Sequence, residues 1–151
     1  MPASIIRYKK VQDQYTTYTL AEPEWSDVDA PHVTELATLD DGYTYVAVPE
    51  GVTLPDQPSQ ITVEPVTMTP ELRDQIKAAS PHCQLITQLM QDKIRSKYSQ
   101  EDEMYFARIG VGSSLGVYTF EPGEQEEMIS YGDFVESVRQ WGRDERAKLG
   151  L

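Results

Sequence analysis

Apolar and polar positions follow two different periods, and the change falls near residue 68. Before it, short runs rich in β-branched and aromatic residues alternate with polar punctuation, the pattern of strands. Ile5-Ile6-Arg7-Tyr8 and Tyr15–Leu20 are two such runs, separated by Gln12-Asp13-Gln14. Val33–Thr38 and Tyr43–Val48 flank Leu39-Asp40-Asp41-Gly42. Asp-Gly between two strand-like runs predicts a hairpin, because Gly accepts the left-handed backbone that the turn requires. Ile61-Thr62-Val63-Glu64 adds one more short strand. Pro49, Pro55 and Pro58 interrupt the stretch before it. Proline has no N–H to give a ladder, so residues 49–58 are expected as an extended connection.

After residue 68 the period becomes helical. Thr69-Pro70 and Ser80-Pro81 each put a hydroxyl at the N-cap and Pro at the first helical position. Ser99-Gln100-Glu101-Asp102 pairs an N-cap hydroxyl with first-turn acids, close to a capping box. Glu121-Pro122 opens a fourth helix. The expected spans are 70–79, 81–98, 100–118 and 122–148. Ile86, Leu89, Met90, Ile94 and Tyr98 share one face of the second. Met128, Tyr131, Phe134, Val135, Val138 and Trp141 share one face of the fourth. The expectation is an α+β protein: a small antiparallel β head over residues 1–68 and a module of about four helices over residues 69–151.

Charge sharpens this division. Among 151 residues the chain carries 13 Lys and Arg against 25 Asp and Glu, a formal charge of −12. The first 68 residues hold 11 acids and 3 bases, so most of the excess lies on the β half. Such a charge repels phosphates and argues against non-specific nucleic-acid binding. No apolar run reaches membrane-spanning length, and MPASIIRYKK lacks the order of a secretory signal. Cys83 is the only cysteine, which fits a reducing compartment. Each half alone has too few residues for a comfortable core, so packing between them or against another chain is expected.

Candidate chemistry is sparse. Gly110-Val-Gly112-Ser-Ser-Leu-Gly116 resembles a nucleotide loop, but Leu115 stands where the dinucleotide fingerprint needs Gly, and no Lys follows. Close helix packing or a turn explains these small residues better. His32 and His82 are isolated, and Cys83 beside His82 projects in a different direction from it on a helix. No Cys-x-x-Cys or His-x₃-His spacing occurs, so no metal or cofactor is expected. The carboxylates group as Glu22 to Asp29, Asp40-Asp41, Glu101 to Glu103 and Glu121 to Glu127, without the spacing of a calcium loop. They are expected as solvated faces, the alternative being a surface that mimics nucleic acid. Tyr8, Tyr15, Tyr18, Tyr43 and Tyr45 in the β half, and Tyr105, Phe106, Tyr118 and Phe120 around the third helix, suit either the cores or an interface.

The run from Thr69 through His82, continuing through Asp92-Lys-Ile-Arg-Ser-Lys-Tyr-Ser99, is similar to segments of small proteins encoded beside bacteriophage tail-fibre genes. Tyr43–Gly51, Leu54-Pro-Asp-Gln-Pro58 and Phe134–Trp141 fit the same pattern, so the resemblance spans about residues 43–148. It implies a tail-fibre assembly or tail-associated accessory protein, not an enzyme, acting on a fibre or baseplate protein. Such a protein works in the host cytoplasm during assembly or stays in the virion tail as a permanent subunit. An acidic inhibitor that mimics nucleic acid is the alternative from another class. The surface expected to bind the partner, or a second copy, comprises Ile86, Met90, Ile94 and Tyr98 with Phe134, Val138 and Trp141. No nucleic-acid or membrane partner is expected.

Overall fold

The computed structural model describes residues 3–25 and 27–151. Six strands come first: β1 (Ser4–Tyr8), β2 (Val11–Gln12), β3 (Thr17–Tyr18), β4 (Thr34–Thr38), β5 (Thr44–Val48) and β6 (Glu64–Pro65). Four helices follow: α1 (Pro70–Ala79), α2 (Pro81–Lys97), α3 (Gln100–Ser114) and α4 (Glu124–Lys148). The protein is α+β. β4, β5, β1 and β6 form one antiparallel sheet in that order, and β2 and β3 form a separate two-stranded ribbon.

All five residues of β5 are buried, because both faces of the sheet are covered. Ile5, Leu36, Tyr45 and Ala47 point to one face and meet Ile76 of α1, with Leu149 and Leu151 packed alongside. Tyr8, Val33, Val46 and Val48 point to the other, where Ile61, Trp25 and Leu54 come from the irregular segments. Adjacent residues divide between the faces as the pleat requires, and Ile5 opposite Ala47 and Ile6 opposite Val46 hold the register.

The expected hairpin is present between β4 and β5. Gly42 has φ +82°, and its N–H donates to the Leu39 carbonyl at 3.0 Å. Asp41 braces the turn by accepting from the Tyr43 N–H at 2.8 Å and the Tyr45 hydroxyl at 2.7 Å. A Cβ at Gly42 would find open room, its nearest neighbour being Lys9 Cε at 3.9 Å, so the constraint lies in the backbone angle. Gly42→Val should therefore lower stability by roughly 1–3 kcal/mol. A denaturant midpoint equal to that of the parent chain would contradict this.

Two strands are shorter than the residue pattern suggests. Of Tyr15–Leu20, only Thr17 and Tyr18 pair, and only with β2. The Asp13 carboxylate accepts from the N–H groups of Tyr15 and Thr16 at 2.8 and 2.7 Å, which ties the first of those residues into a tight turn. The last strand lies at Glu64–Pro65 rather than 61–64, joined to β1 by an Arg7 Nε to Glu64 hydrogen bond of 3.0 Å.

Helix starts follow their caps. The Thr69 hydroxyl accepts from the Leu72 N–H at 3.2 Å, and Ser99 and Asp102 form a reciprocal capping box. Ser80, fully buried between α1 and α2, accepts from the Cys83 N–H at 3.5 Å. Three boundaries move, that of α2 by a single residue to Lys97. α3 ends at Ser114 rather than 118, because Gly116 at φ +76° turns the chain and the Gly112 carbonyl takes the N–H groups of both Val117 and Tyr118. α4 begins at Glu124 rather than 122, after Gly123 at φ +89°.

The change from strand to helix at residue 68 is not where the compact units divide. One unit runs through Leu85 and includes Asp144–Leu151; the other is Ile86–Arg143. α1 belongs with the sheet because it lies against β4 and buries Ile76 completely in the sheet's core. Leu149 and Leu151 join that same core.

Candidate functional site

The residues with the most reactive side chains are not assembled into one site. His32 packs edge-on against Trp25, with ring centroids 4.5 Å apart. His82 is exposed, and Cys83 is buried at the start of α2. Among the described residues no three His, Cys, Asp or Glu side chains are arranged to hold a metal ion. The small residues of 110–116 serve packing and a helix stop. A Cβ on Gly110 would lie 3.2 Å from Met128 Sδ, and one on Gly112 would lie 2.8 Å from Tyr118 Cβ.

The seven side chains expected to bind a partner lie in the helical unit, Ile86–Arg143, where many turn toward one another. Tyr98 meets Tyr131 at 5.0 Å and Phe134 at 5.7 Å between ring centroids. Phe106 of α3 stacks on Tyr131 at 5.0 Å. Met90 occupies the space over Gly142, where a Cβ would come within 2.3 Å of its Sδ. Ile86 and Val138 are buried, and Ile94, Tyr98, Phe134 and Trp141 are half-buried. Leu89, expected on the same face, is exposed. The two apolar stripes thus cover one another in part, with two of the seven residues buried and five half-buried.

Polar contacts reinforce that packing. The Tyr131 hydroxyl donates to Glu103 at 2.8 Å, and Arg95 donates to the other Glu103 oxygen at 2.8 Å. Glu124, buried at the start of α4, accepts from the hydroxyls of Tyr105 and Tyr118 and from the Glu121 N–H. These are donors and acceptors satisfying one another in a partly buried setting, where a lone carboxylate is costly. Burial and the bond to Glu103 push the Tyr131 hydroxyl up to about 12 from its ordinary value of 10.0. A raised value in the folded state contributes stability below the unfolded value and loses it as pH rises through the folded one. The helical unit should therefore weaken between pH 10 and about 12, and Tyr131→Phe should flatten that loss. Thermal melts of both chains across this range decide it; identical slopes would contradict the assignment.

Several large apolar side chains of this unit remain outside, Val117 and Ile129 among them, and three others line up along α3. Met104 and Val111 of α3 and Leu115, which caps its C-terminus, are 56%, 59% and 70% exposed. With Ala107 they stand at i, i+3, i+7 and i+11, and successive residues are set about 100° apart, so they form one row. The row lies opposite Phe106 and Ile109, the buried side of α3. The spacing is visible in the sequence, but it overlaps Gly110, Gly112 and Gly116, whose signal is that of close packing and a turn. Arg108 and Glu101 flank it.

No protein-family model matches the chain, and neither a curated protein nor a solved structure shows significant similarity to it. Among the described residues no helix is long and apolar enough to cross a membrane.

Proposed function

We propose that this chain is a phage tail-fibre accessory protein, an assembly chaperone or adaptor acting through protein–protein contacts. The observation that carries the contact-based part is the α3 row, whose large apolar side chains face water on the side away from the unit's interior. An exposed apolar row rimmed by polar residues is the usual mark of an interaction surface. The tail-fibre assignment rests on the resemblance of residues 43–148. On this reading the protein works where tails are built, in the host cytoplasm, and a version retained in the virion is its close variant.

The test is purification of the tagged full-length chain from phage-producing cells, beside analysis of the finished particles. A fibre or baseplate protein should co-purify at fixed stoichiometry and persist at high salt, since an apolar contact is little screened. Presence in the particle identifies a permanent subunit; absence identifies a chaperone. A chain recovered only with basic nucleic-acid-binding proteins, and released by salt, would contradict the proposal and favour nucleic-acid mimicry.

A further inference from the structure

We propose that the outer edge of β4 takes up an extended, uncharged segment of a partner chain as a fifth strand of the sheet. This surface belongs to the sheet-containing unit and does not depend on the α3 row. The two edges of the sheet differ. β6 is two residues long and contains Pro65, which has no N–H to offer. β4 has five residues, no proline, and β5 as its one neighbour. Leu39, just after β4, turns its N–H inward to the Tyr43 carbonyl at 3.0 Å. Backbone groups alternate in direction along an antiparallel strand, so Thr38 turns its N–H and C=O outward. Among the described residues no hydrogen bond reaches that outer backbone. What complements a strand edge is another extended backbone, whose donors and acceptors recur at the same spacing.

The surroundings of the edge fix the chemistry of the segment. Two cavities of about 500 and 530 Å³ run along it. Thr38 and Ala79 line both, so they join into one trench between β4 and the end of α1. β4 spans about 17 Å, the length of a segment of about five residues. The α1 wall presents Ala78 and Ala79, small and exposed, with Pro81 beyond them. An added strand turns every second side chain toward that wall, where β-branched apolar groups fill the room the alanines leave. Charge contributes little. Glu35 is paired with Lys10 at 2.7 Å, and Asp41 is engaged in the hairpin turn. That leaves Asp40 in one cavity and His82 in the other, and no lysine or arginine lines either. Asp40 disfavours an acidic segment at the hairpin end. A second copy of this chain does not fit. Its own sheet is already covered on both faces, one of them by its own α1, so neither face can receive the α1 wall. Two chains of charge −12 also repel.

The test uses a fluorescent peptide of alternating threonine and valine, about seven residues long so that it overreaches the strand. A second peptide of the same sequence carries a methyl on every backbone nitrogen and so cannot donate to the edge. Binding to the full-length protein is read by anisotropy, and amide exchange by NMR. The first peptide should bind at sub-millimolar concentration with little change between low and high salt, and the methylated one at least about tenfold more weakly. The bound peptide should slow exchange of the Thr38 N–H by about tenfold or more, while the Leu39 N–H, already bonded, changes little. Ala79→Phe, at an exposed position, keeps the fold by circular dichroism, fills the trench and should weaken binding by about tenfold. Val111→Ser, Leu115→Ser should leave it unchanged, which keeps this edge distinct from the α3 row. No binding of the first peptide, equal binding of the methylated one, or an unprotected Thr38 N–H would overturn the proposal. So would undiminished binding to folded Ala79→Phe, or a free protein of twice the chain mass that the peptide converts to single chains, which would identify a second copy as the occupant.

Discussion

Ile76→Ala should lower the stability of the sheet-containing unit by about 3 kcal/mol, in the range for truncating a buried Ile where the surroundings cannot collapse. Ile76 is 0% exposed and sits among Ile5, Leu36, Tyr45 and Ala47. It is the fully buried residue of α1, a ten-residue helix that otherwise meets solvent along most of its length. Short helices are marginal alone, so α1 depends on this contact. The truncation removes three carbons from a site bounded on one side by paired strands, which move little. Urea denaturation followed by tyrosine fluorescence measures the loss. A change below about 0.5 kcal/mol, the level of an ordinary surface substitution, would separate α1 from the sheet.

Met90→Glu should destabilise the helical unit by a comparable amount, about 2–4 kcal/mol. Met90 fills the close approach over Gly142, so glutamate would press a charged carboxylate against the buried backbone of α4, where removing it from water is costly. The unbranched thioether tolerates that space because it bends; a charged group of similar length does not. Leu115→Glu is the control. Leu115 is exposed on the outward row, and the change should fall within about 0.5 kcal/mol. Melting curves of the two variants, taken side by side, distinguish interior from surface. A stable Met90→Glu chain would return the α2 face to consideration as the partner surface, and a Leu115→Glu chain that unfolds would make the row part of a core.

Local signals in the sequence were strong wherever a single residue enforces a backbone geometry. Asp41-Gly42 marked the hairpin, and Thr69-Pro70, Ser80-Pro81 and Ser99 to Asp102 marked three helix starts, since each satisfies an orphan N–H or supplies a permitted φ. Strand lengths were less legible. Tyr15 has the chemistry of a strand residue, yet the Asp13 side chain captures its N–H, a competition between turn and ladder that propensity does not resolve. The division into units was not legible at all: residue 68 separates two periodicities, whereas compactness depends on where Ile76, Leu149 and Leu151 pack. The same limit applies to the candidate surface. Periodicity identifies an apolar face without saying whether it turns inward. α2 and α4 each offered one such face, and these meet through Tyr98, Tyr131 and Phe134. α3 offers two, Phe106 with Ile109 on one side and Met104, Val111 and Leu115 on the other, and only packing shows which is outside.

The central claim is that the outward row of α3 is the working surface of a protein that acts by binding another. Native mass spectrometry of the full-length chain, purified from phage-producing cells alongside its Val111→Ser, Leu115→Ser variant, tests that claim most directly. The parent chain should appear in a complex of defined mass with a tail-fibre or baseplate protein, and the folded variant should appear alone. A variant that retains the complex at the parent's occupancy would contradict the claim, as would a parent chain found with no such partner.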